Sequence, residues 1–148
     1  AMSLGQKIPN SEVLVVTTPQ QAASEVAERA GTMAGIMQQQ VIGVVENMSW
    51  LETTCPHCGK THRVELFGSG GGETASEALS KRLGTKVPLL GQIPIDLDLR
   101  AGGDDGDPIV VAHPDSPAAQ ALVDLADSLD SRPRGLAGMN LGVTPVAN

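Results

Sequence analysis

Val13-Leu14-Val15-Val16 is the segment that most constrains the fold. Four apolar residues in a row that do not alternate predict a strand over residues 12–17 covered on both faces, as in a parallel sheet. Parallel strands need crossover connections, and the next segment supplies one. Thr18 as cap and Pro19 at the first helical position open a helix there. Ala23, Val26, Ala27, Ala30, Met33, Ala34 and Met37 give it an apolar stripe at helical spacing, with the methionines read as core. Gly31 and Gly35 weaken the helix and predict its close approach to the sheet.

The alternation continues. Residues 41–46 repeat the buried-strand pattern, residues 47–54 read as irregular, and residues 55–61 as a tight polar loop. A glycine-rich stretch at 67–72 leads into a helix over 73–83 with Gly84 as its C-cap. Residues 87–93 form a third strand, interrupted by Pro88 and Gly91. Residues 94–107 read as a short helix and an acidic, glycine-rich turn, and 109–112 as a short extended piece. Ser116 caps a last helix over 117–129. The fold class is therefore α/β, a three-layer arrangement with a mostly parallel sheet spanning residues 1–130. The remainder, residues 131–148, is expected to be a poorly ordered tail. Trp50 and Phe67 are the only aromatic residues, so the core must be built from Val, Leu, Ile, Met and Ala. Three strands make a small sheet with an edge that wants covering, either by another chain or by sequence outside this one. Ala1-Met2 reads as a protease scar before a Met, and the native protein is expected to begin earlier.

Charge narrows the function classes. Ten Lys and Arg stand against 17 Asp and Glu, a net charge of −7, the wrong balance for a protein that tracks nucleic-acid phosphates. No apolar run approaches the ~20 residues of a membrane span, so neither nucleic acid nor membrane is expected as a partner. Two Cys in 148 residues do not make a disulfide scaffold, and a reducing, cytoplasmic compartment fits best.

The sharpest local signal is Cys55-Pro56-His57-Cys58-Gly59. Thiolates at this spacing can address one metal ion or cluster iron, Pro56 fixes the backbone, and Gly59 permits the turn that aims N–H groups at sulfur. Several readings compete. Two thiolates cannot complete four-coordination, and no second Cys pair exists, so two subunits would share a metal centre across a two-fold axis. A single-chain zinc site would use Cys55, Cys58 and His57 or His62. A redox dithiol of the thioredoxin type would want Cys55 at a helix N-terminus, which Gly59 and the polar Lys60-Thr61-His62 do not favour. Unligated surface thiols are the plain alternative.

Other motifs have ordinary readings. Residues 54–61 almost match a phosphate-binding loop, but Thr54 replaces the first Gly, with no strand expected to run in and no helix to follow. Gly68-Ser69-Gly70-Gly71-Gly72-Glu73 fails the dinucleotide pattern at Glu73, and reads as flexible backbone entering a helix, with an anion site there as the weaker option. Asp104, Asp105 and Asp107 lack calcium-loop spacing. His113 reads as solvated. Asn47 comes just after a buried strand, where α/β folds bind ligands, and by position reads as a turn former.

In order along the chain stand Val16-Thr17-Thr18-Pro19-Gln20, Gly43-Val44-Val45-Glu46-Asn47-Met48-Ser49, Cys55-Pro56-His57-Cys58-Gly59, Gly70-Gly71-Gly72-Glu73 after Phe67-Gly68, and Pro88-Leu89-Leu90-Gly91-Gln92-Ile93-Pro94-Ile95-Asp96. This series resembles the C-terminal half of the Mrp (ApbC-like) P-loop ATPases, carriers of iron–sulfur clusters, over residues 6–130. The resemblance implies a homodimer in which Cys55 and Cys58 of each subunit hold a bridging 4Fe-4S cluster destined for apo iron–sulfur proteins. It also implies that Asn47 contacts the adenine of ATP, with Pro94 and Asp96 in the loop near the same base. The family's phosphate loop, Mg²⁺ ligands and Asp-x-Pro-Pro-Gly segment are not in this sequence. The chain is thus expected to be a piece of a longer protein, with ATP and Mg²⁺ bound by the full-length protein only and no hydrolysis by this piece.

Overall fold

A computed structural model describes residues 11–132. The expectations for the tail and for the Ala1-Met2 start fall essentially outside those residues. Strand β1 (Glu12–Thr17) leads to helix α1 (Gln21–Ile36), then to strand β2 (Gln40–Thr54) and strand β3 (Thr61–Val64). Helix α2 (Gly71–Leu83), strand β4 (Leu89–Ile95), and helices α3 (Leu97–Asp105), α4 (Ile109–Ala112) and α5 (Pro117–Asp130) complete the order. β2 pairs in parallel with β1 on one side and with β4 on the other, and its far end pairs antiparallel with β3. The fold class is the expected α/β arrangement with a mostly parallel sheet.

Side-chain parity divides the sheet into two faces. Val15, Val41 and Val44 point to one face and join Ala27, Ala34, Ala75, Leu79 and Val87 in the main core under α1 and α2. A bulge at Leu90 shifts the register, so that Leu89 pairs with Val44 but Gly91 pairs with Val45, on the other face. There Gly91 lies under Leu125 of α5. A smaller cluster joins Ile109, Ala118 and Ala119. Three layers result: α1 and α2, the sheet, and α5.

Five local expectations are corrected. Helix α1 begins at Gln21 with Gln20 as N-cap and no side-chain cap, so Thr18 and Pro19 belong to the preceding loop. Gly31 and Gly35 mark contact with α2 rather than with the sheet: a Cβ on Gly31 would sit 2.6 Å from Leu79, and one on Gly35 would collide with Leu83. Residues 47–54 are not irregular but the outer part of β2. Residues 109–112 form one helical turn, which buries Ile109. Finally, β1 is covered on one face only. Val15 is buried, but Val16 on the other face is 59% exposed.

β1 is an edge strand among the described residues. Val26 and Met33, from the predicted core stripe of α1, are exposed beside it. Together with Val13, Val16 and Met37 they line an open groove of about 690 Å³. The edge that wants covering is thus real, and it lies at β1.

Candidate metal centre

Beyond Asn47 the backbone of β2 breaks register with β4, Met48 taking a positive φ of 60°. The strand then runs on as an arm with β3, pairing Leu51 with Val64, Glu52 with Arg63, Thr53 with His62 and Thr54 with Thr61. The arm is held by polar and aromatic contacts rather than by a core. The Arg63 guanidinium lies 4.3 Å from the Trp50 ring centroid and 3.4 Å from Glu52.

The Cys-x-x-Cys segment closes this hairpin. Cys55 N–H donates to the Lys60 carbonyl at 2.9 Å, and Gly59 N–H donates back to the Cys55 carbonyl at 2.9 Å. Gly59 has φ of 67°, a conformation that an L side chain resists, as expected for the turn. The backbone N–H groups of Cys58 and, less strongly, His57 donate to the Cys55 thiol and hold its pKa below the usual thiol range. The Cys58 side chain adds to this, and desolvation opposes it slightly. The thiols are free, Cys58 exposed and Cys55 half-buried. The potential donor atoms of Cys55, Cys58 and His62 all lie within 4.8 Å of one another. Among the described residues no other trio of His, Cys, Asp or Glu gathers in this way, and His57 is not a member.

This geometry separates the alternatives chemically. Residues 56–58 form a turn between two strands, so Cys55 lacks the helix N-terminus that a thioredoxin-type dithiol uses. The near-match to a phosphate loop fails for a corrected reason. A strand does run straight into it, but the next element is a strand and not a helix.

The other sequence-predicted site residues lie elsewhere. Asn47 is half-buried, its Oδ1 accepts the Met48 N–H at 2.9 Å, and it lines the end of the groove beside β1. Pro94 and Asp96 line a separate hollow with Leu51 and Pro117. The Asp96 carboxylate caps α3, accepting N–H groups of Asp98 and Leu99 at 2.8 and 3.0 Å. The acidic turn is solvent-exposed, with Asp104 paired to Arg100 at 3.6 Å.

Sequence reasoning missed Glu46. Its carboxylate is buried, accepts the Gly72 N–H at 2.6 Å, and also accepts from Gln92 Nε2 at 2.9 Å. The anion at the N-terminus of α2 is therefore supplied by the protein itself. Gly72 allows that approach, since a Cβ there would stand 2.8 Å from the Glu46 Cβ. A charged residue ending an otherwise apolar strand was the available signal.

Comparison with known proteins fits this architecture. The family model described as "ParA: NUBPL iron-transfer P-loop NTPase" matches residues 1–130. The chain belongs to that family. An iron–sulfur cluster carrier protein of Mycobacterium leprae is 53% identical over 145 residues, 98% of this chain and 37% of the relative. One from Synechocystis is 41% identical over 128 residues, 86% of this chain and 34% of the relative. This family member thus spans little more than a third of the curated relatives it matches. Among solved structures, the cell division ATPase MinD of Pyrococcus furiosus aligns with a TM-score of 0.59 at 25% identity, covering 80% of this chain and 42% of MinD. A nucleotide-binding protein from Archaeoglobus fulgidus in complex with ADP aligns with a TM-score of 0.50 at 33% identity, covering 72% and 40%. The family's α/β fold is thereby shown for this chain.

Proposed function

We propose that this chain is the cluster-holding part of a cytoplasmic iron–sulfur carrier. Two copies form a homodimer, and Cys55 and Cys58 from each supply four thiolates to one bridging 4Fe-4S cluster. The cluster is cargo, passed on to apo iron–sulfur proteins. In the whole protein the ATP phosphates and Mg²⁺ bind elsewhere along the longer chain, while Asn47 touches the adenine, and Pro94 and Asp96 lie near the same base. This piece alone hydrolyses no ATP, because its sequence holds no phosphate-loop lysine.

The observation that carries this reading is the presentation of the thiols. They sit at the tip of an arm that contributes nothing to the main core, and N–H groups already favour the thiolate at Cys55. Exposed, preorganised sulfur donors suit a centre that must be received and surrendered, whereas a permanent structural site would be closed. Four thiolates also complete a cluster where two cannot.

Anaerobic reconstitution with ferrous iron and sulfide tests it. The expected product is brown, with about one cluster per two chains, and runs as a dimer. Cys55→Ser and Cys58→Ser should each abolish it. A wild-type chain that stays colourless would overturn the reading.

A further inference from the structure

The β2–β3 register brings a third donor to the thiols. Thr53 and His62 are paired directly, so their side chains share one face of the arm. Cys55 lies two residues beyond Thr53 and is still tied to β3 through its N–H bond to Lys60, so strand parity puts it on that same face. His62 is then its diagonal neighbour, within reach of a long side chain. His57 lies inside the turn, where parity gives it no such place. The result is the gathering of Cys55, Cys58 and His62 donor atoms within 4.8 Å.

We propose that His62 is a third metal ligand, so that a single chain binds one borderline-soft divalent cation, such as Zn²⁺, Co²⁺ or Fe²⁺, through two thiolates and one imidazole nitrogen. Donors around a four-coordinate ion of this kind stand about 3.5–3.8 Å apart. These side chains, Cys58 and His62 exposed and Cys55 half-buried, close from the observed spacing by small rotations about their χ angles. Two thiolates and an imidazole suit this class of ion, and hard cations such as Mg²⁺ or Ca²⁺ do not fit the set. Three donors leave the fourth position open to water or to a thiolate from another protein. The ion therefore needs no second copy of the chain, which distinguishes this site from a centre shared between two subunits. Occupation by the mononuclear ion and by a bridging cluster are mutually exclusive, because both use the same two sulfurs.

The proposal rests on the reading of Cys55 and Cys58 as metal ligands, but not on the bridging cluster. Anaerobic titration of the full 148-residue, reduced chain with Co²⁺ tests it. The wild-type chain should develop the visible bands of tetrahedral cobalt and thiolate charge-transfer absorption, saturating at one ion per chain. Loss of an outer-sphere partner alone weakens metal sites by about 10–100-fold, so His62→Ala should weaken this one by upward of about 100-fold. His57→Ala should leave it unchanged. His62→Cys, which restores a donor, should bind tightly with stronger charge-transfer absorption, and this gain does not depend on how well the alanine variant folds. Unaltered cobalt affinity in His62→Ala, an unaltered spectrum in His62→Cys, or saturation at one ion per two chains would overturn the proposal. Cluster reconstitution of the wild-type chain is the separate arm. Its failure would remove the carrier reading and leave the cobalt result standing.

Discussion

The inner and outer halves of β2 share one strand but not one set of forces. From Gln40 to Asn47 the strand lies between β1 and β4, with Val44 and Val45 wholly buried and Glu46 sealed under the N-terminus of α2. From Leu51 to Thr54 it has β3 as its antiparallel partner, and every residue of β3 is exposed. The first half is where stability is concentrated. The second half leads to the turn where the donor atoms of Cys55, Cys58 and His62 gather, and beyond Leu51, which still pairs with Ile95 of β4, its strand partner is β3. The two meet at Asn47 and Met48, where the register with β4 slips and φ turns positive. The lesson is that chemistry can be mounted on a continuous strand without compromising its core, provided the strand outruns its sheet. Substitutions should therefore sort cleanly by half: large losses of stability with metal binding retained on one side, the reverse on the other.

The greatest destabilisation is expected at Leu79, which is fully buried on α2 against the core face of β2 and against Gly31. Leu79→Ala should cost about 3–4 kcal/mol, because Gly31 has no side chain to fill the cavity. Urea unfolding monitored by far-UV circular dichroism measures it. Glu46→Ala comes next, at about 2–3 kcal/mol, since it leaves the buried Gly72 N–H and the Gln92 amide without their acceptor. Glu46→Gln keeps one acceptor oxygen and should cost less. Folded protein from either Glu46 variant should still take up cobalt as the wild type does. Loss of uptake at native stability would show that the two halves are coupled.

The inner half was legible in the sequence and the outer half was not, for physical reasons. Val13 to Val16 and residues 41–46 announce themselves because a strand inside a parallel sheet must be apolar without alternation. Even so, Val16 shows that a pattern suited to two covered faces does not say whether both covers are present. Residues 47–54 carry Asn, Ser, Glu and Thr, and what holds them extended is pairing that the sequence does not display, of Asn47 and Leu51 with β4 and of residues 51–54 with the polar residues 61–64. Ile109 to Ala112 looked extended because β-branched residues dominate it. Pro108 and the contact of Ile109 with Ala118 and Ala119 make it a helical turn instead. That Cys55 and Cys58 could face one point was legible from spacing alone. The choice between His57 and His62 was not, because it depends on strand parity, and parity is fixed only once the register is known. Glu46 was hidden because its partner, the Gly72 N–H, is a backbone group that composition cannot display.

Gly59 sharpens the comparison from the outer side. A Cβ there meets no atom within 4 Å, so the penalty for Gly59→Ala is purely the positive φ, about 1 kcal/mol. By relaxing to another conformation the turn can escape that penalty, so the unfolding midpoint should scarcely move relative to Leu79→Ala. Cobalt affinity, measured by the same anaerobic titration, should fall well beyond the loss of stability. A proportionate fall in both would mean the turn geometry is not what orients the sulfurs.

The smallest effect on stability is expected where the chemical effect is greatest. Cys58→Ser removes a proposed ligand but an exposed one, so unfolding in urea at neutral pH should shift by less than about 0.5 kcal/mol. The same variant isolates Cys55, whose largest sources of pKa depression, the N–H groups of residues 58 and 57, are backbone and survive the substitution. Alkylation of Cys55 by iodoacetamide should then show its inflection at lower pH in the folded variant than in the same chain unfolded by urea. Folded protein binds fewer protons than unfolded protein between those two inflections, so stability rises with pH across that window and the gain is lost as pH falls through the folded value. Equal inflections in the folded and unfolded chain would show that the turn does not preorganise sulfur, and the outer half of β2 would then be only an exposed hairpin with two thiols on it.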